Sequence, residues 1–541
     1  MASSFFGFNV SSAGLFTAQK NLEVITHNIS NANTPGYSRQ QAVQESVRPD
    51  NTFDGTGMIG GGSYVSAVNR IRNEYLDVKF WGENVTAGEW DAKQSAVADI
   101  QAVFGEPSDS GFTTIMNEFF NSLQEVSKDP SSPSARSVVQ QNAITLTKYF
   151  NAMSNRLEHL QASLNQNVNA QTTQINSYGE QIRKLNGQIF DYELTGHIAN
   201  DLRDQRTLII DKLSKLADIS VSEVLKGKLP GGLDDKRLEI SIGGKQFVSH
   251  DRRANLVLVP RETKLNVEDT EGLFDVKWED GDNLNIRSGI LKGYIDVRDG
   301  NNGQGLAPNF KGIPYYTRCL DNFVRTFAKA FNEGFTDDDG DGQISAEEDR
   351  TGHVDGYGLD PDGAGLLNPP TNLRFFTTMA PITNERLNSR DFIGDAKTRD
   401  EISAEYDKMT AKNFTIATDI TSNYYSIAAS DSPDEEGNIK NISKLIEVRH
   451  NAEMFAEGAP EDYMKSIITT IAIDMQQAER LQDNHKTIMN LTDTRRMSES
   501  GVSLDEEMAN MVRHQQAYNA SAKMVSIWAE IYEILLNKTG L

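Results

Sequence analysis

Apolar residues near the N-terminus recur at helical spacing. Phe8, Leu15, Ala18, Leu22, Ile25 and Ile29 step by seven, three, four, three and four, which puts them on one helix face. Near the C-terminus Leu504, Met508, Met511, Gln515, Tyr518, Ala522, Val525, Ala529, Tyr532 and Leu536 alternate four and three without a break. That spacing predicts the seam of a coiled coil, narrower than the stripe of a globular helix. Met464, Ile468, Ile471, Met475, Ala478, His485 and Ile488 continue the theme upstream, and no proline interrupts the N-terminal pattern before Pro35. Gln515 stands within the apolar C-terminal series. It either fixes the register, since a buried amide penalises slipped pairings, or faces water.

The middle of the chain reads differently. Residues 75–128 and 134–218 are poor in proline and rich in Gln, Asn, Ala and Leu at helical spacing. Within ANDLRDQRTLIIDKLSKLAD, Leu202, Gln205, Leu208, Ile209, Leu213 and Leu216 share a face. From about residue 220, SVSEV, RLEISIGG and ANLVLVPRET cluster β-formers around Gly-rich turns. Helix returns at 314–334, and a Gly/Asp-rich stretch, short β-like pieces and an acidic turn precede the last helices from about 441. The expected fold is multidomain α+β, with paired coiled-coil terminal helices, a helical rod-like domain and β-rich central domains facing outward. The expected domains are a terminal core (1–35 with 505–541), a mainly helical domain (36–219 with 300–335 and 441–504), a β-rich domain (220–299) and an outer β- and loop-rich domain (336–440).

Composition narrows the function. The formal charge is −24, from 77 acidic against 53 basic residues. Such a surface repels nucleic acid and anionic lipid, so neither is an expected partner. No apolar run approaches the roughly 18 residues needed to cross a bilayer. The N-terminal MASSFFGFNVSSAGLFTAQK has its first basic residue at Lys20 and no continuous apolar core, so it reads as mature sequence and not as a cleaved secretion signal. Cys319 is the single cysteine, which excludes an internal disulfide and reads as a free core thiol. The eight histidines are scattered, and HExxH, GxSxG and P-loop patterns are missing. Carboxylate pairs are too common in so acidic a chain to single out a catalytic one, and no enzyme is expected.

One segment carries specific chemistry. DDDGDGQISAEE fits the twelve-residue calcium loop, with Asp337, Asp339 and Asp341 at positions 1, 3 and 5 and Gly342 at the turn. Gln343 offers its backbone carbonyl at position 7, Ser345 stands at 9 and Glu348 supplies the carboxylate at 12. The loop either binds calcium as a local staple or is a solvated acidic turn. A sensor would pair two such loops and open a groove between helices; the sequence offers one loop.

The segment HNISNANTPGYSRQQ, His27 to Gln41, is a helix end stopped by Pro35 and Gly36. Its Asn33, Thr34, Pro35, Gly36 and Tyr37 closely resemble the turn signature of flagellar axial proteins. The fuller form looks like that of the hook-associated family found at the hook–filament junction. GGSYVSAVNRIRNEYLD, ANDLRDQRTLIIDKLSKL, SGILKGYIDVRD, LDNFVRTFAKAFNEG and GVSLDEEMANMVRHQQAYNASAKMVSIWAEIYEILLN follow in that family's order. The centre, 220–440, is less similar, and the acidic stretch after Gly334 departs from the pattern.

The resemblance implies a structural subunit of the bacterial flagellum. It would be exported without a cleaved signal and would be extracellular, assembling with copies of itself on the hook protein. The second junction protein and the filament would be built on it, and an export chaperone would cover its C-terminal helix. The implied assembly seam is Leu15, Leu22, Ile25, Ile29, Leu504, Met508, Met511, Tyr518, Val525, Tyr532 and Leu536. A hook or rod axial protein would share the turn but not the DLRDQR segment. A calcium-binding extracellular adhesin-like module is the third reading.

Overall fold

The computed structural model describes residues 6–51, 58–105, 111–334, 351–359, 372–433, 435 and 437–538. Helix α1 (Phe6–Ser30) leads into strands β1 (Gln40–Ser46), β2 (Pro49–Asn51), β3 (Met58–Gly60) and β4 (Ser63–Arg70). Four helices follow: α2 (Glu74–Phe104), α3 (Phe112–Lys128), α4 (Pro133–Glu193) and α5 (Asn200–Leu216). Strands β5 (Ile219–Lys228), β6 (Asp234–Ile242), β7 (Lys245–Ser249), β8 (Arg252–Arg253), β9 (Leu256–Pro260) and β10 (Phe274–Trp278) precede α6 (Ile290–Asp299) and α7 (Ile313–Glu333). The rest comprises β11 (Phe376–Thr378), α8 (Ser389–Ile393), α9 (Arg399–Tyr406), β12 (Phe414–Ile416), α10 (Thr418–Ser422), α11 (Lys440–Glu447), α12 (Pro460–Ser500) and α13 (Leu504–Lys538).

Local chemistry sets these boundaries. Asn73 accepts the Tyr75 and Leu76 N–H groups at the start of α2, and Gly105 closes that helix in the left-handed region. Pro133 opens α4, whose first turn Ser132 caps by accepting from Ala135 N. The 61 residues of α4 make a helix roughly 90 Å long at 1.5 Å per residue.

Two cores lie along α4. One gathers α3, α7 and the C-terminal part of α2 around Phe119, Phe120, Phe323, Phe327 and Phe331. The other packs the antiparallel sheet β5-β6-β7-β8 onto α4 and α5. Phe247 from β7 sits directly on Gly179 of α4, where any larger residue would overlap its ring. The described part of 336–440 does not stand apart as an outer domain. Phe375, Phe376, Tyr406 and Phe414 belong to the same core as α3 and α7, because Asn332 of α7 accepts the backbone N–H groups of Phe375 and Phe376.

Helix α12 returns antiparallel along α2. Asn73 donates to Glu499 (2.9 Å) at one end, and the Arg496 guanidinium lies 3.9 Å from the Phe80 ring centre. Towards the other end Phe104 meets Tyr316, whose hydroxyl donates to Asp474 of α12 (2.9 Å). The α1–α13 pair follows beyond this section.

Candidate assembly interface and its joint

Helices α1 and α13 are antiparallel and in step. A Cβ at Gly7 would overlap the Trp528 indole, and one at Gly14 would lie 3.2 Å from Ser521 Oγ. Asn28 Nδ2 donates to Glu507 (3.1 Å). Seven residues forward on α1 thus correspond to seven back on α13, and fourteen to fourteen. Phe8 meets Tyr532 edge-on at the tip, with ring centres 6.3 Å apart.

On α1, Leu15, Leu22 and Ile29 are half-buried and Ile25 is buried. On α13, Met511, Tyr518, Val525 and Tyr532 are half-buried, whereas Leu504, Met508, Gln515 and Leu536 are exposed. The other covered positions are Glu507, Asn510, His514, Ser521, Ala522 and Trp528. The face that meets α1 is therefore turned by one residue at alternate positions from the series of apolar residues. The cause lies opposite: Gly7 and Gly14 leave room for Trp528 and Ser521. Gln515 is exposed in the single chain.

A second apolar stripe flanks the covered face of α13. Met524, Ile527, Ile531, Ile534 and Leu535 are each 40–47% exposed. The C-terminal half of this helix is thus apolar well beyond the face that α1 covers, so a wide apolar surface is left for a neighbour.

Below the pair, the TPGY turn forms a polar joint. Gly36 has φ 78°, and a Cβ there would come within 3.0 Å of Leu208 on α5. Asn33, Thr34 and Pro35 are exposed, so the tight turn itself is their contribution. Tyr37 Oη donates to Asn28 Oδ1 (2.8 Å) and lies 3.0 Å from His27 Nδ1. Burial first, then the Asp201, Asp204 and Glu507 carboxylates, push the Tyr37 hydroxyl pKa well above its ordinary value.

The next residues bolt the turn to α1, β4, α5, α12 and α13. Ser38 N and Oγ both donate to Asp204 of α5 at 2.8 Å. Arg70 Nη1 reaches the same carboxylate at 3.0 Å. Gln40 Nε2 donates to Asp201 (2.7 Å), while its backbone exchanges hydrogen bonds with the buried Asn28 side chain. Arg39 N donates to Ser500 O at the end of α12 (2.8 Å), and its guanidinium to Glu507 (2.7 Å) and Glu506 (3.1 Å). Those glutamates stand in the first turn of α13, where the helix dipole also favours negative charge.

Sequence periodicity passed over these partners. Asn28, Ser38, Arg39, Asp204, Glu507 and Trp528 show no apolar alternation. Ser38, Arg39 and Asp204 lie in the segments NTPGYSRQ and DLRDQR, which the fold brings into contact.

The remaining candidates lie elsewhere. Asp337, Asp339, Asp341, Gln343, Ser345 and Glu348 fall outside the described residues, and among the described residues no group of three His, Cys, Asp or Glu could hold a metal. Cys319 is free and half-buried, and burial pushes its thiol up to about 11, far from a reactive thiolate. Among the described residues no helix is long and apolar enough to cross a membrane.

Comparison with known proteins adds three family matches. Residues 97–344 match the flagellar hook-associated protein FlgK helical domain. Residues 8–37 match the flagella basal body rod protein family, and 494–538 the flagellar basal body rod FlgEFG protein C-terminal family. The chain is 30% identical to flagellar hook-associated protein 1 of Bacillus subtilis (strain 168), over 100% of this chain and 99% of that one. It is 24% identical to flagellar hook-associated protein 1 of Escherichia coli (strain K12), over 98% and 99% of the two chains. The fold is similar to that of the flagellar hook junction protein FlgK from Burkholderia pseudomallei, with TM-score 0.53 at 14% identity. That match covers 79% of this chain and all of the other.

Proposed function

The chain belongs to the flagellar hook-associated protein 1 family, and on that premise we propose that it polymerises at the distal end of the hook, as the junction on which the second junction protein and then the filament are built. The second apolar stripe of α13 carries this reading. Each Ile, Leu or Met covered there by a neighbouring copy contributes roughly 1.5–3 kcal/mol, offset by side-chain ordering of about 0.5–1.5 kcal/mol each. Before assembly the same stripe is what an export chaperone would cover. The terminal segments alone are similar to rod proteins; the helical middle separates this family from them. Electron microscopy of cells lacking the gene tests the role. Complete hooks without filaments, with flagellin lost to the medium, are expected; normal filaments would overturn it.

Calcium binding by Asp337–Glu348 belongs to the same proposal. It is supported by the sequence pattern and by the neck of the segment, where Gly352 packs directly against Gly334 at the end of α7. A local staple would have this form, staying empty in the cytosol and filling outside. With calcium near 1 mM and a Kd of about 10⁻⁴ M, the gain is roughly 1.4 kcal/mol. Calorimetry of the full chain should show millimolar calcium raising the melting temperature, and Asp341→Ala should remove the rise. No heat and no shift would end the idea.

A further inference from the structure

Helices α2 and α5 and the edge strand β5 line a cavity of about 250 Å³. Trp81, Ile210 and Leu238 give it an apolar wall. Val78 of α2 and Leu225 of β5 line it too, and at 57% and 60% exposed they mark where it opens to water. These side chains converge on one space, unlike apolar residues scattered over a surface. The Trp81 indole is held in place, its Nε1 donating to Asp211 (2.6 Å).

The polar lining is short of acceptors. Arg206 is 4% exposed. Its Nη1 donates to Asn186 (3.0 Å) and its Nη2 to Glu223 (2.7 Å), while Nε has no partner. A buried donor left without an acceptor is unfavourable. Nε and Nη2 share one edge of a guanidinium, an edge able to grip a carboxylate with two parallel bonds. Glu223 covers only the Nη2 end of that edge. Burial pulls the Arg206 pKa down to about 10; Glu223 opposes the fall, and nearby Arg203 and Arg70 add to it. Arg70 also lines the cavity, and Lys236 stands exposed at its edge. Two of the lining carboxylates are already committed. Glu223 also meets Arg203 (3.4 Å), and Asp77 meets Arg72 (2.6 Å) and Arg496 (3.5 Å). The third, Glu74, is exposed to water.

A donor-rich wall beside an apolar one suits an amphipathic anion. The cavity is smaller than the roughly 300–1,000 Å³ of sites for drug-sized molecules, so the apolar body is the size of one aromatic or branched side chain. A single negative charge matches one guanidinium edge, whereas a dianion would crowd Glu223, Asp77 and Glu74.

We propose that this cavity is a binding site for a carboxylate carried on a compact apolar body, with the carboxylate against Arg206 and Arg70 and the body against Trp81, Val78 and Leu225. The site is complete within one chain, so it stands or falls apart from the assembling role above. Titration calorimetry of the full chain tests it with phenylacetate as the probe. Acetate lacks the apolar body, and 2-phenylethylamine reverses the charge. Phenylacetate should bind roughly tenfold or more tightly than either. No binding, or equal binding of phenylacetate and the amine, would overturn the site. Leu225→Glu and Leu225→Lys are surface changes and should both melt like wild type. The glutamate should weaken phenylacetate roughly tenfold more than the lysine does; equal effects would overturn the role given to the arginines. Assembled flagella carrying Leu225→p-benzoylphenylalanine then identify the source of the carboxylate. An adduct with a flagellar peptide names an acidic side chain of a neighbouring subunit. No adduct, with phenylacetate still bound by wild-type flagella, names a free organic acid.

Discussion

At the scale of the residue, buried polar groups matter more than their number suggests. Asp204 accepts from Ser38 twice and from Arg70 once. Removing it leaves both Ser38 donors without that acceptor and the Arg70 charge with only the Thr207 hydroxyl (3.5 Å), which costs roughly 3–5 kcal/mol. Removing only the Ser38 hydroxyl costs about 1 kcal/mol. Denaturant unfolding should therefore rank Asp204→Ala well below Ser38→Ala, and the reverse order would remove the joint from the account of stability. Asp321 on α7 gives a pH prediction. Burial raises its pKa to about 7, although Ala411 N–H donates to it (2.7 Å). The folded chain then holds a proton that the unfolded chain has released, so stability falls as pH rises from the usual carboxylate range through about 7. His353 acts in the opposite sense. Burial lowers it to about 4, so its contribution is full above the ordinary histidine range and is lost as pH falls through about 4. Asp321→Asn keeps an acceptor for Ala411 and removes the buried charge. It should match wild type near pH 4 and exceed it by about 2–4 kcal/mol at pH 8. The same difference at both pH values in melting experiments would refute the assignment.

At the scale of the element, α13 separates folding from assembly. Its inner face meets α1 through Met511, Tyr518, Val525 and Trp528, and the stripe from Met524 to Leu535, 40–47% exposed, runs beside it. A charge at a stripe position that is 40% exposed keeps its access to water, and surface changes of this kind alter stability by about 0.5 kcal/mol or less. Ile531→Glu should therefore leave the circular-dichroism melt of the monomer unchanged while abolishing filament attachment. Val525→Glu should lower the melt itself. If Ile531→Glu cells grew normal filaments, the stripe would not be an assembly surface. Glycine sets the pairing on the other helix. Gly7 and Gly14 are where α1 lets Trp528 and Ser521 approach.

At the scale of the whole molecule, two hydrophobic cores lie along one long helix, and the chain's two ends meet in an antiparallel pair beyond them. The sequence by itself determined the helical course of both termini and the stop at Pro35 and Gly36. It also placed the strand region after residue 219. These depend on spacing, proline geometry and local propensity, which neighbours in the chain specify. The same spacing put Leu504, Met508 and Leu536 in an assembly seam, and in the single chain they are exposed. Periodicity records which positions are apolar and not what stands opposite them. Only the tertiary structure decided that Trp528 faces Gly7, and that Ser38 finds Asp204 across 166 residues of chain. It also placed Phe375 and Phe376 in the core of α3 and α7, not in an outer domain. Polar locks and close approaches depend on where distant segments meet in space, and local spacing carries no record of that distance.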